Sequence, residues 1–154
     1  MTLLAECPAA RGVGVDLSEE ACLQASANAL RHGVADRAEI LRADWFDAVE
    51  GRYDLIVANP PYLAAVEMNS VAPELRDHEP RMALTDEGDG LSVYRIIAEQ
   101  AQGYLTAAGR VLVEIGAGQG DAVQQIFTRA GWGGVTLCHE LDGRARVICA
   151  EWPA

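Results

Sequence analysis

The sequence predicts an α/β fold with a largely parallel sheet that closes in an antiparallel hairpin. Two observations carry this. Short apolar, β-branched runs alternate with longer helix-like segments, and Asp142-Gly143 joins the last two runs, a strong hairpin signal. The first strand is Gly12-Val13-Gly14-Val15-Asp16. Ser18 follows as a helix cap, with Glu19 and Glu20 in the first turn where acids suit the helix dipole. That alanine-rich helix runs to about His32, and Gly33 is its stop. Further strands fit 38–42 and 53–58, the second apolar enough to be buried on both faces. Asn59-Pro60-Pro61-Tyr62 breaks regular structure, because neither proline can donate to a ladder. Residues 63–88 read as irregular. The spacing of Leu91, Tyr94, Ile97, Ala98, Ala101 and Leu105 predicts a helix. A strand over 109–115, a helix over 121–130, and strands over 135–138 and 145–149 complete the chain.

With 154 residues, half of them hydrophobic, the chain reads as one domain over 1–154. Its net charge of -11, from 12 basic against 23 acidic residues, argues against binding nucleic acid directly, which takes a basic face. Cys7, Cys22, Cys138 and Cys149 are scattered, and His32, His78 and His139 form no cluster with them, so no metal is expected. No apolar run is long enough to cross a bilayer and the first residues lack the basic start of a secretory signal, so a cytoplasmic protein with no membrane contact is expected. Nothing in the sequence speaks to oligomeric state.

The chemistry concentrates at Asn59-Pro60-Pro61-Tyr62, at the carboxyl end of a buried strand, where ligands of open α/β sheets bind. The Asn59 side-chain oxygen and the Pro60 carbonyl are two adjacent acceptors, matched to the two hydrogens of one NH2 group. Tyr62 offers a flat face for a planar amide or base. Such a nitrogen is a weak nucleophile. Holding both hydrogens turns its lone pair toward an incoming methyl and stabilises the charge that grows there. The bland alternative is a turn, since Asn-Pro starts turns well. Asp16 ends the first strand, placed to accept from both hydroxyls of a ribose. Its alternative, helix capping, falls more naturally to Ser18. Leu17 would lie beside an adenine. Asp44 could accept from the adenine amino group with Trp45 flanking the ring; a loop acid beside a core aromatic is the competing reading.

Taken together, Val15-Asp16-Leu17-Ser18, Asp44-Trp45-Phe46, the strand into Asn59-Pro60-Pro61-Tyr62, Glu79-Pro80-Arg81, Gly88-Asp89-Gly90-Leu91 and Asp142-Gly143-Arg144-Ala145-Arg146-Val147 resemble the HemK-type release-factor glutamine methyltransferases. Asn-Pro-Pro-Tyr alone is shared with DNA adenine and rRNA guanine methyltransferases; Glu-Pro-Arg followed by Gly-Asp-Gly-Leu narrows the resemblance. It implies a class I S-adenosylmethionine-dependent methyltransferase (Rossmann-like) sheet and S-adenosyl-L-methionine as cofactor. The implied substrate is the Gly-Gly-Gln glutamine of a peptide-chain release factor, methylated on its side-chain amide. Asn59 and Pro60 would hold that amide, with Pro61 and Tyr62 beside it. Asp16, Leu17, Asp44 and Trp45 would hold the cofactor, which Asn59 would also touch. Glu79 and Arg81 read as an ion pair ordering the long loop rather than as catalytic groups.

The resemblance further implies a helical domain, a first strand and a glycine-rich cofactor turn ahead of Leu3. The chain is therefore expected to be an amino-terminally truncated catalytic domain, impaired in cofactor binding and activity, with unpaired edges on the strands 12–16 and 53–58. Glu114-Ile115-Gly116-Ala117-Gly118-Gln119-Gly120 imitates such a glycine turn and would imply a circular permutation, but the family has a similar stretch after its fifth strand. The competing functional readings are a nucleic-acid amino methyltransferase and a non-catalytic remnant of the fold.

Overall fold

The structure, a computed structural model, describes residues Met1–Pro153. Contacts divide it into two compact units, Met1–Gly51 and the chain from Arg52 onward.

In the first unit a short helix α1 (Thr2–Glu6) precedes strand β1 (Gly12–Asp16), helix α2 (Glu19–Arg31) and strand β2 (Ala38–Arg42). α1 has no counterpart in the sequence reading; five residues are too few for a periodic signal. Its end is held instead by a distant side chain. The Arg37 guanidinium donates to the carbonyl of Leu4 (2.8 Å), one of those a helix terminus leaves unpaired, and to the carbonyls of Cys7 (3.3 Å) and Ala10 (2.7 Å) in the loop that follows. α2 starts as read, with Ser18 Oγ accepting from the Ala21 N–H at 3.2 Å, and stops before Gly33, whose φ of +66° is the left-handed conformation glycine allows. β1 and β2 pair in parallel, with Gly12 opposite Ala38 and Asp16 opposite Arg42. Ala29 and Val34 are the buried apolar anchors of this unit.

The second unit opens with β3 (Tyr53–Ala58) and a 3-10 turn (Ala65–Ser70), then helices α3 (Pro73–Arg76), α4 (Arg81–Leu84) and α5 (Ser92–Gln100). A 3-10 turn over Ala101–Tyr104 leads into β4 (Leu105–Glu114), α6 (Gly120–Arg129), β5 (Gly133–His139) and β6 (Ala145–Glu151). The sheet order is β3-β4-β6-β5, with β3 and β4 parallel and β6 antiparallel to both its neighbours. The expected terminal hairpin is present, turning at Gly143 with φ +84°. On one sheet face Val111, Val113, Ile115, Ile148 and Ala150 alternate inward and are fully or almost fully buried, as are Tyr94 and Ile97 of α5 and Val123 and Phe127 of α6. Trp132 closes the end of this core, donating from Nε1 to the Ala98 carbonyl at 2.8 Å and meeting Phe127 and Trp152 edge-to-face.

Three expectations are corrected. β3 is not buried on both faces: Leu55 and Val57, which alternate onto the same face, are 41% and 54% exposed, so its apolar run packs on one side only. Leu105 begins β4 rather than ending a helix: α5 stops at Gln100, and the β3–β4 register jumps between Tyr53–Leu105 and Leu55–Arg110. The bulge puts Ala108 at φ +61° and lets β4 start before Gly109, which apolar spacing alone does not reveal. The segment 63–88 is not wholly irregular either. It carries the three short helical turns named above and a parallel bridge between Leu63 and Thr85. Among the described residues β1 is paired with β2 alone and β3 with β4 alone. Among the described residues no helix is long and apolar enough to cross a membrane, and no three His, Cys, Asp or Glu side chains gather as a metal would require.

Candidate active site

In the first unit the sequence-predicted groups gather at the carboxyl ends of β1 and β2. Asp16 and the residues after Arg42 are neighbours across this parallel pair, and the Ala43 N–H donates to the Asp16 carbonyl at 3.1 Å. Asp16 is exposed. Its Oδ1 accepts from the Ser18 N–H at 2.8 Å, fixing the carboxylate's orientation. Ser18 is the helix cap, so Asp16 is not spent on that task. Leu17 stands 47 % exposed at this end, its carbonyl held by Arg42 Nε at 3.3 Å. Asp44 is exposed and Trp45 half-buried. Trp45 has φ +48°, a conformation costing a bulky side chain about 1–2 kcal/mol and characteristic of functional loops.

In the second unit Asn59 leaves the end of β3 just past the Ala58–Val113 pair. It is exposed, and its side-chain amide is not spent on another described residue. It lines an open depression of about 300 Å³ with Val57, Ala58, Leu112, Glu114 and Val147. Pro60 is buried, while Pro61 and Tyr62 are half-buried. Tyr62 is gripped from two sides by glycines. A Cβ on Gly116 would lie 2.9 Å from the Tyr62 ring carbon Cδ2, and one on Gly90, at φ +74°, would lie 2.4 Å from the Tyr62 carbonyl oxygen. Neither position tolerates a side chain without displacing the segment.

Three residues that sequence reasoning left aside complete this unit's site. Gln119 and Tyr94 are joined by hydrogen bonds to Tyr62, Gly90, Gly116 and Glu114. Asp86 organises the loop before α5: it accepts from the N–H groups of Gly88 (2.8 Å), Gly90 (2.9 Å) and Ser92 (3.0 Å) and from Ser92 Oγ (2.6 Å). An acid two residues ahead of a Gly-Asp-Gly turn was the available signal. Arg81 pairs with Glu87 rather than with Glu79, so the ion pair ordering the long loop spans different residues from those expected.

Burial would raise the Asp86 carboxyl, but the hydrogen bonds from Ser92, Gly88 and Gly90 outweigh it and bring the pKa to about 2. The folded-state value lies below the unfolded one, so the stabilisation is complete above the ordinary carboxylate range and is lost as pH falls through about 2. Asp86→Ala is expected to lower unfolding free energy by about 2 kcal/mol at neutral pH, in keeping with hydrogen bonds to a charged group that is partly exposed. Urea denaturation checks it: the gap from wild type should narrow between about pH 4 and pH 2. A gap independent of pH would show the charge to be irrelevant.

Parallel strands alternating with helices, and a closing antiparallel hairpin, are features of the class I methyltransferase fold, and the comparisons agree. Across 99% of this chain and 68% of the other, the fold superimposes on a methyltransferase from Pyrococcus furiosus with a TM-score of 0.71 at 13% identity. An RNA methyltransferase from Salinibacter ruber, solved with S-adenosyl-L-homocysteine, superimposes with a TM-score of 0.56 at 18% identity over 98% of this chain and 71% of that one. In sequence, residues 1–112 match the methyltransferase small domain, and the chain belongs to that family. It is 51% identical over all 154 residues to a protein named release factor glutamine methyltransferase in Cereibacter sphaeroides. The chain spans 55% of that relative's length.

Proposed function

We propose that the protein carrying this chain is an S-adenosylmethionine-dependent methyltransferase that methylates the side-chain amide of the Gly-Gly-Gln glutamine in peptide-chain release factors. The observation that carries this reading is Asn59: an exposed amide at a strand's carboxyl end, unspent on other described residues, next to the Pro60 carbonyl and a held Tyr62. The relative's name supports the choice of substrate. The net charge of -11 disfavours nucleic acid as the alternative acceptor.

In this reading Asp16 accepts from the cofactor's ribose hydroxyls, Leu17 and Trp45 flank its adenine, and Asp44 accepts from the adenine amino group. The local geometry fits: Asp16 is exposed and oriented by Ser18, and Asp44 is open to solvent. The cofactor supplies a methyl group on a sulfonium, an electrophile that needs no activation. Asn59 Oδ1 and the Pro60 carbonyl would accept the two hydrogens of the substrate amide, so the nitrogen presents its face and its growing positive charge is stabilised. As N–CH3 forms and S–CH3 breaks, the sulfur leaves as a neutral thioether and one N–H proton passes to solvent. Tyr62 stacks on the amide plane.

The test is methyl transfer from labelled S-adenosylmethionine to a bacterial release factor, to the same factor with its Gly-Gly-Gln glutamine changed to alanine, and to DNA and RNA. Label confined to the Gly-Gly-Gln peptide is the expected result. Label in nucleic acid would overturn the substrate, and label in none of them would overturn catalysis.

A further inference from the structure

The geometry points to Gln119 as the positioning residue of the acceptor-holding segment 59–62, an inference that rests on the acceptor reading just given. Its amide is fully engaged. Nε2 donates one hydrogen to the Tyr62 carbonyl at 2.8 Å and the other to the Gly90 carbonyl at 3.2 Å. Oε1 accepts from the Gly116 N–H at 2.9 Å and lies 3.4 Å from the Tyr94 hydroxyl. The amide orientation follows from its partners. Turned over, its oxygen would face two carbonyl oxygens and its NH2 would face an N–H.

Each partner belongs to a different part of the second unit. Tyr62 ends the Asn59–Tyr62 segment, Gly90 precedes α5, Gly116 follows β4, and Gln119 itself stands immediately before α6. The Tyr94 hydroxyl donates to the Glu114 carbonyl at 2.9 Å, and Tyr94 is fully buried, so the support behind Gln119 is rigid. Burial raises the Tyr94 phenol well above its ordinary value, which keeps it a donor throughout the physiological range.

The segment is stiff between its ends because two prolines fix their own φ angles. One end is set by β3, through the Ala58–Val113 pair. The other end is the Tyr62 carbonyl, and Gln119 is the side chain that holds it. Because β4 is the neighbour of β3, Gln119 closes the segment back onto the adjacent strand of the same sheet. Only a side chain with two donors and an acceptor in one plane fits these contacts. A carboxylate would set negative oxygen against two carbonyls. Releasing the Tyr62 end would swing the Pro60 carbonyl and the Tyr62 ring away from the nitrogen while leaving the cofactor groups Asp16 and Asp44 untouched. The effect therefore falls on turnover, and misplacement of this kind costs up to ~100-fold in rate.

The experiment uses the full protein carrying this chain, with labelled S-adenosylmethionine and a bacterial release factor. Gln119→Glu is expected to lower kcat by roughly 30-fold, with cofactor Kd and release-factor KM within about 3-fold of wild type. Gln119→Met, which fills the same space without repulsion, is expected to lose roughly 10-fold in kcat. It also keeps the test open should the charged variant fold poorly. Hydrogen exchange reads the geometry without turnover: exchange should quicken at Leu63 and Ala65, whose N–H groups donate to the Leu84 and Gly88 carbonyls, and stay unchanged in β4 and β6. Asn59→Ala in the same assay separates the two ideas. Wild-type kcat in both Gln119 variants beside an inactive Asn59→Ala overturns the role of Gln119 alone. An active Asn59→Ala overturns the acceptor reading and the positioning role with it. A raised KM or cofactor Kd with unchanged kcat, or unaltered exchange at 63–65, also overturns positioning.

Discussion

Asn59→Ala is expected to reduce methyl transfer by about 1,000-fold or more in kcat, the scale seen when a preorganised polar group aimed at developing charge is removed. The oxygen of Asn59 accepts one of the two hydrogens on the acceptor nitrogen in the proposed complex. Without it the amide can rotate, its lone pair returns to the amide π-system, and charge on nitrogen loses its nearest dipole. An exposed side chain that contributes nothing to the packed interior has little effect on folding when truncated, so the thermal midpoint is expected to stay within a few degrees of wild type. Asn59→Asp sharpens the test. It retains an acceptor of the same size, so partial turnover is expected, with the balance altered by the new charge. Single-turnover measurements with bound cofactor isolate the chemical step. An alanine variant within about 10-fold of wild type would remove Asn59 from the mechanism.

The strands up to the Asn-Pro-Pro-Tyr motif were legible because each is a short apolar run bounded by an unambiguous stop. Gly12–Asp16, Ala38–Arg42 and Tyr53–Ala58 fall where the apolar pattern put them. The signal failed where tertiary contacts, not periodicity, decide. Leu105 fits a helical stripe by spacing, yet a bulge at Ala108 draws it into β4. α1 persists because Arg37, some thirty residues away, neutralises its exposed carbonyls, and no local pattern announces that partner. The side chains proposed to touch cofactor or substrate were readable from residue type at strand ends. The residues that hold them were not. Gln119 sits in a Gly-rich stretch resembling a cofactor turn, and its side chain instead fills that turn, accepting from the Gly116 N–H. Four hydrogen-bonding partners spread between residues 62 and 116 leave no short-range trace.

Asp16→Ala is the complementary variant: it is expected to weaken S-adenosylmethionine binding by roughly 10- to 100-fold, the loss of charge-assisted hydrogen bonds worth about 1.5–3 kcal/mol. The carboxylate is suited to two neighbouring hydroxyls because its oxygens offer paired acceptors in one plane. Its orientation is already set, with Oδ1 accepting from the Ser18 N–H at 2.8 Å, so binding does not have to order it. Removing the side chain forfeits that local bond too, at about 1 kcal/mol, but Ser18 Oγ still receives the Ala21 N–H and α2 keeps its cap. Folding and binding can thus be separated. Urea denaturation should place Asp16→Ala within about 1 kcal/mol of wild type, while calorimetry of the full protein with the cofactor registers the larger deficit. Asp16→Asn discriminates further. It can still accept from Ser18 through one oxygen, but it has no charge and turns a donor toward the ribose, so it should fold as wild type and bind almost as poorly as alanine. Equal cofactor affinity in Asp16→Ala and wild type would remove Asp16 from ribose recognition and leave its carboxylate the single task of ordering the turn into α2.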